Sequence, residues 1–212
     1  MLVTLATRTF TPEPTAAALR LGALARALAA GGDRVRVLTS RLAPSVARDA
    51  ASSAEDSHGP TLREREGGAR GQGAPAETGS GEGSHGLVEV RRAPVLRDKT
   101  GAVRGYVSYL SFDLPLIARL LTGQRPDVVV SEPPPTTGAA VRLACALRRL
   151  PYVYYCADIV SDAAALAGVP RPVVRAVAGL ESFALRGARS VIAVSDGVAR
   201  RARDLGAKRV VV

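Results

Sequence analysis

Short runs of apolar, β-forming residues alternate with Ala/Leu/Arg-rich stretches of helical period along almost the whole chain, and this alternation constrains the fold more than any single motif. The first run ends at Ala6, and a Thr/Pro cluster over residues 9–15 punctuates it. Residues 15–30 are nearly all Ala, Leu and Arg. Leu21, Leu24, Ala25 and Leu28 recur at helical spacing while Arg20 and Arg26 point elsewhere. Gly31 and Gly32 predict the helix stop. Asp33 turns the chain, and Val35 and Val37 alternating with arginines predict a second strand over 34–38. A strand, helix, strand unit of roughly 40 residues implies parallel pairing with a right-handed crossover.

The alternation continues downstream. Strands are expected at 87–92, 128–130, 152–155 and 190–194, with another starting at 208–212. Helices are expected at about 103–121, 139–149 and 173–186, and after Ser195 or Asp196, either of which can cap. Loops at 131–138 and 156–161 separate them. The fold class that follows is α/β: a single domain built on a Rossmann-like, doubly wound parallel sheet. The helix at 103–121 carries Tyr106, Tyr109, Leu110, Leu114, Ile117 and Leu121 as a broad apolar stripe, with Pro115 kinking or splitting it. Two readings stand. The stripe packs on the sheet, which needs helices on both faces, or it rests on a membrane surface between Arg104 and Arg119. The first is favoured.

Composition breaks the pattern once. From about 44 to 86 the chain is Gly, Ser, Ala, Glu and Arg with almost no large apolar residue, which predicts a disordered insertion. The Gly71 Gln72 Gly73 Ala74 Pro75 Ala76 string inside it follows no strand and opens no helix, so it does not read as a nucleotide fingerprint. The net charge of +10 favours anionic ligands or surfaces. The arginines are scattered over successive helices and aromatic content is 4% with no Trp, which argues against nucleic-acid binding. Cys145 and Cys156 fit buried core positions in a reducing compartment. The N-terminus reads as a strand rather than a signal peptide, and no uncharged apolar run reaches the roughly 20 residues that cross a bilayer. A cytoplasmic protein, soluble or peripheral on the inner face of the membrane, is the expectation.

In a doubly wound sheet, ligands bind outside the carboxyl ends of the strands near the reversal of strand order. That rule selects the loops at 9–16, 131–138, 156–162 and 195–197. Thr15 and the amides of Ala16 and Ala17 open a helix, where unpaired N–H groups favour an anion, although Thr15 also reads simply as a cap. Glu13 beside them can select a hydroxyl or be solvated. Asp158 and Asp162 follow the fifth strand; a carboxylate there can accept from a sugar hydroxyl, act as a base or satisfy loop amides. Glu132 has the same ambiguity. Glu181, mid-helix among apolar neighbours, either faces the cleft or forms a surface ion pair with an arginine. Both histidines, His58 and His85, fall in the insertion, so neither a Ser-His-Asp triad nor a His metal site is expected, and no phosphate-binding P-loop is present.

Taken in order, Phe10 Thr11 Pro12 Glu13 Pro14, the following Leu/Ala/Arg helix and Gly31 Gly32 Asp33 Arg34 Val35 Arg36 Val37 Leu38 Thr39 resemble the opening of bacterial family-4 glycosyltransferases of the GT-B fold. Arg125 Pro126 Asp127 Val128 Val129 Val130, Asp158 Ile159, the stretch from Glu181 to Arg186, and Val191 Ile192 Ala193 Val194 Ser195 Asp196 Gly197 Val198 fall in the same order. The resemblance implies the N-terminal, acceptor-side half of a two-domain cleft enzyme. It implies retaining transfer from a nucleoside-diphosphate sugar to a saccharide or lipid-linked acceptor in cell-envelope polysaccharide synthesis, with no cofactor and no required metal. The donor would sit on a C-terminal domain that does not fall within these residues, so the isolated chain is expected to be inactive. On this reading Asp158 is the catalytic candidate, and Glu13, Pro14, Thr15, Ala16, Glu132, Thr136, Asp162 and Ser195 are the acceptor contacts. The first loop carries Pro12 Glu13 Pro14 Thr15 where many relatives are glycine-rich, and Val160 Ser161 stand where an aromatic residue and proline are common. Two other classes remain open: a stand-alone nucleotide- or flavin-binding module, and a non-catalytic interaction protein.

Overall fold

The computed structural model describes residues 1–55, 87–98 and 106–212. Seven strands form one sheet: β1 (Leu2–Ala6), β2 (Arg34–Ser40), β3 (Val88–Ala93), β4 (Val128–Ser131), β5 (Tyr152–Cys156), β6 (Ser190–Ala193) and β7 (Val210–Val211). Their order is β3-β2-β1-β4-β5-β6-β7. Every pairing is parallel. The expected α/β, Rossmann-like sheet is therefore present, and the chain direction across it reverses beside β1, which lies between β2 and β4. Every residue of β1 is buried, as a strand covered on both faces must be.

The helices are α1 (Ala16–Ala30), α2 (Pro44–Glu55), α3 (Tyr106–Thr122), α4 (Pro135–Arg148), α5 (Val160–Leu166), α6 (Arg171–Gly187) and α7 (Asp196–Asp204). Leu21, Ala25 and Ala29 of α1 pack on Leu5, Val35, Val37 and Val130 on one face of the sheet. On the other face Phe112, Leu116 and Leu120 of α3, Val141 and Ala144 of α4, and Ala184 and Leu185 of α6 pack on Val129, Tyr152 and Tyr154. Each large apolar side chain so buried contributes about 1.5–3 kcal/mol. Cys145 and Cys156 sit in this second cluster, and burial pushes both thiols up to about 12. The close fit of α4 depends on Gly138, where a Cβ would lie 2.6 Å from the Tyr154 ring and 2.9 Å from the Ala184 Cβ. Gly32, at φ 87°, takes the left-handed turn that leads α1 into β2.

Four local expectations are corrected. Pro44–Glu55, the first part of the segment expected to be disordered, is helix α2; its Ala, Arg and Glu residues are good helix formers. Residues 56–86, with both histidines, lie outside the described residues, as does Arg104. Helix α4 begins at Pro135 rather than Ala139, because proline is well suited to the first helical position. A short helix, α5, occupies Val160–Leu166 and begins inside the loop expected at 156–161. The apolar stripe of α3 is buried only in part: Ile117 and Leu121 pack against the core, but the most buried side is another one. Phe112, Leu116 and Leu120 face the sheet, whereas Leu110 and Leu114 face outward.

Candidate active-site crevice

The carboxyl ends of β1 and β4 lie side by side, with Ala6 in register with Ser131, so the segments leaving them flank the reversal of strand order, where a sheet of this kind places its ligand crevice. Glu132 is the first residue beyond β4 and is only 5% exposed. The hydroxyl of Thr7, the first residue beyond β1, donates to its Oε1. Burial raises the Glu132 carboxyl from 4.5 to about 7; Thr7, Arg8 and Arg20 pull it down, and Asp158 pushes it further up. Asp158 itself is exposed on the loop after β5, so two of the expected carboxylates address one crevice.

Arg8 completes the cluster. Its guanidinium covers the Tyr109 ring at 3.9 Å, a distance suited to cation–π attraction. Burial pulls it below its ordinary value, an effect opposed by Tyr109, Asp113 and Glu132. Nε and Nη1 are buried without an acceptor. Asp113, inside α3, accepts from the Thr137 hydroxyl at 2.7 Å. Burial raises its carboxyl; Thr137, Thr136 and Arg8 lower it. The Thr136 hydroxyl stays outside bonding geometry and has no partner. Orphaned buried polar groups of this kind are uncommon and call for an explanation.

The remaining expected residues divide by what already holds them. Glu13 is buried and pairs with Arg97 at 3.2 Å, which also donates to Ser40 Oγ at 3.2 Å. Burial raises its carboxyl against Arg97 and Arg92. Arg92 donates to the Thr11 carbonyl at 2.7 Å, so the first loop is laced to the segment after β3. Thr15 caps α1 by accepting from the Ala18 amide at 3.1 Å, and Pro14 and Ala16 beside it are exposed. Ser195 likewise caps α7 by accepting from the Val198 amide at 3.3 Å. Glu181 is corrected: it neither faces the crevice nor pairs with an arginine, but is buried and accepts from the amides of Val160 and Ser161.

Asp162 is held by Arg201 through both carboxylate oxygens, at 3.1 and 2.9 Å from Nε and 2.9 Å from Nη2. The two side chains are 44% and 41% exposed, so water screens the pair. Asp162→Ala is expected to change unfolding free energy by no more than about 1 kcal/mol in chemical denaturation; a loss of several would mean the pair is structural.

Thr7, Arg8 and Asp113 carry no motif in the sequence, and Tyr109 reads there only as part of an apolar stripe. The rule that selected Glu132 applies equally to Thr7 and Arg8, which follow β1 directly. Asp113 had a signal too: a lone carboxylate in an apolar helix, adjacent to Phe112. Among the described residues no three His, Cys, Asp or Glu side chains gather where they could hold a metal.

A family model described as a glycosyl transferase 4-like domain matches residues 15–212. The chain belongs to that family. Sucrose-phosphate synthase from Thermosynechococcus elongatus superposes with a TM-score of 0.58 at 11% identity, covering 99% of this chain and 47% of that one. Anabaena HepE in complex with UDP gives 0.50 at 18% identity, covering 100% and 43%. Arabidopsis thaliana UGT89C1 complexed with UDP gives 0.50 at 11%, covering 98% and 50%. This glycosyl transferase 4-like chain thus spans about half the length of the structures it matches. No curated protein matches it in sequence.

Proposed function

We propose that this chain is the N-terminal, acceptor-side domain of a retaining glycosyltransferase. The enzyme moves a sugar from a nucleoside-diphosphate sugar to a saccharide or lipid-linked acceptor in cell-envelope polysaccharide synthesis, and a second α/β domain holds the donor. The observation that carries this reading is the cluster at the reversal of strand order: Glu132 and Asp113 are buried there, with half-buried Arg8 and donors that lack a partner beside them. A carboxylate next to a guanidinium is the pairing that reads sugar hydroxyls, because each hydroxyl can donate to one and accept from the other. Asp158, exposed on the loop after β5, accepts from the reacting hydroxyl as a general base or orients it on this reading.

The family supports glycosyl transfer, and the half-length match supports a division of labour between two domains. The alternative is a nucleotide- or flavin-binding module complete in itself. Calorimetry separates the two. Titrating the purified chain with UDP, UDP-glucose and FMN is expected to give no saturable heat at concentrations up to about 1 mM, the regime of weak association. Micromolar binding of a nucleotide or flavin would transfer the reading to the stand-alone module.

A further inference from the structure

Helix α3 runs Tyr-Val-Ser-Tyr-Leu-Ser-Phe-Asp-Leu-Pro-Leu-Ile-Ala-Arg-Leu-Leu-Thr. A helix so apolar on every side is ordinarily enclosed. Here one side is packed, through Phe112, Leu116 and Leu120, and the other is not: Val107 is 70% exposed, Leu110 51% and Leu114 62%. Pro115 and Ala118 share that outer arc, and no charged side chain interrupts it. Leu96, also exposed, is fixed beside it by the bond from its amide to Ser111 Oγ at 2.9 Å. A contiguous exposed apolar strip of this kind marks a contact surface.

Charge decides among occupants. At the far end of α3, Arg119 donates to the Arg91 carbonyl at 3.2 Å, and Arg91 and Arg36 share a single carboxylate, Glu89. Two guanidiniums therefore share one carboxylate, with Arg91 the more exposed of the two, and Arg119 adds a third positive charge beside Arg91. The chain as a whole carries +10, which opposes self-association and favours an anionic surface. Residues 56–86 contain one large aliphatic residue, Leu62, too little to cover the strip. No helix among the described residues is long and apolar enough to cross a membrane. We infer that the outer face of α3, with Leu96, lies on the surface of a bilayer rich in anionic phospholipid.

An apolar strip with a basic flank is the pattern of interfacial binding, in which apolar burial and attraction to anionic headgroups add. This surface is separate from the crevice reading and stands without it. Tyr109 links the two, since it is on α3 and lies beneath Arg8. A bilayer on this face therefore brings membrane-borne groups to the crevice mouth.

The test is co-sedimentation of the purified chain with vesicles of phosphatidylcholine, with and without phosphatidylglycerol. Binding is expected only to the phosphatidylglycerol vesicles and is expected to weaken at about 0.5 M NaCl, where screening is strong. The double variant Leu110→Glu/Leu114→Glu, at two outward positions, is expected to lower the partition coefficient about tenfold or more, with an unchanged circular dichroism spectrum. Arg119→Gln, which keeps the strip, is expected to lower it less. Equal partition of parent and double variant overturns the inference, as does no binding to either vesicle. A parent chain that sediments as a dimer, and becomes a monomer in the double variant, overturns it in favour of a second copy.

Discussion

Glu181→Ala is expected to lower the unfolding free energy by about 3 kcal/mol in chemical denaturation, the largest single effect anticipated from a side chain outside the apolar core. Glu181 is 2% exposed, and its two carboxylate oxygens accept from the amides of Val160 at 2.6 Å and Ser161 at 3.1 Å. Those amides open α5, whose N-cap residue, Ile159, supplies no side-chain bond of its own. The first N–H groups of a helix lack partners within it, and here a residue from α6 satisfies two of them while facing the positive end of the helix dipole. Alanine leaves both amides buried without an acceptor. Glutamine keeps one acceptor and turns an NH₂ group toward the other amide, so it is expected to lose about half as much. A cost below about 1 kcal/mol for alanine would mean that water replaces the carboxylate freely.

The consequence reaches the crevice. Asp158 stands between β5 and α5, and its carbonyl oxygen lies 3.4 Å from Cys156 Sγ. Loosening α5 frees one end of that loop. Amide exchange at Val160 and Ser161 in the alanine variant is therefore expected to accelerate more than exchange in β1, which would distinguish local opening from global destabilisation.

The periodicities that made the sheet legible are the ones physics makes strongest. Strands buried on both faces must be runs such as Val128, Val129 and Val130, and the helices between them must repeat apolar residues near every 3.6 positions. The caps at Thr15 and Ser195 were legible for the same local reason. Glu181 was not, because its partner is a helix of seven residues whose sequence, Val-Ser-Asp-Ala-Ala-Ala-Leu, is too short to show a period. Helix α3 misled in another way. When nearly every residue is apolar, periodicity cannot choose the buried side, and Asp113 was the better guide: it is buried with Phe112 and Leu116, while Leu110 and Leu114 point away. The crevice was half legible. Strand-end position points to Glu132 and equally to Thr7 and Arg8, but nothing local announces that Arg8 reaches across to Tyr109 on a helix about a hundred residues later in the chain.

Glu132 gives the second large effect, and it depends on pH. Its carboxyl is raised from 4.5 to about 7, chiefly by burial. The folded chain therefore retains a proton that the unfolded chain has already released between those values, and unfolding in that window expels it. Stability from this group is complete below about 4.5, declines as pH rises toward about 7, and is level above it. At about 1.4 kcal/mol per unit the full span is about 3.5 kcal/mol at most. Glu132→Gln cannot ionise yet still offers Thr7 an acceptor, so it should lack this decline. In denaturant unfolding the glutamine variant is expected to match the parent near pH 4.5 and to exceed it by about 2–3 kcal/mol at pH 8. A difference that does not change with pH would place the carboxyl in an ordinary solvated state and rule out a buried cluster there. The same titration alters what the crevice can recognise: below pH 7 Glu132 can donate a hydrogen bond, above it the carboxylate only accepts. Its ionised form is the one that Arg8 attracts; on the proposed function that form accepts from the sugar hydroxyl, and acceptor binding is then expected to strengthen over the interval in which the fold weakens.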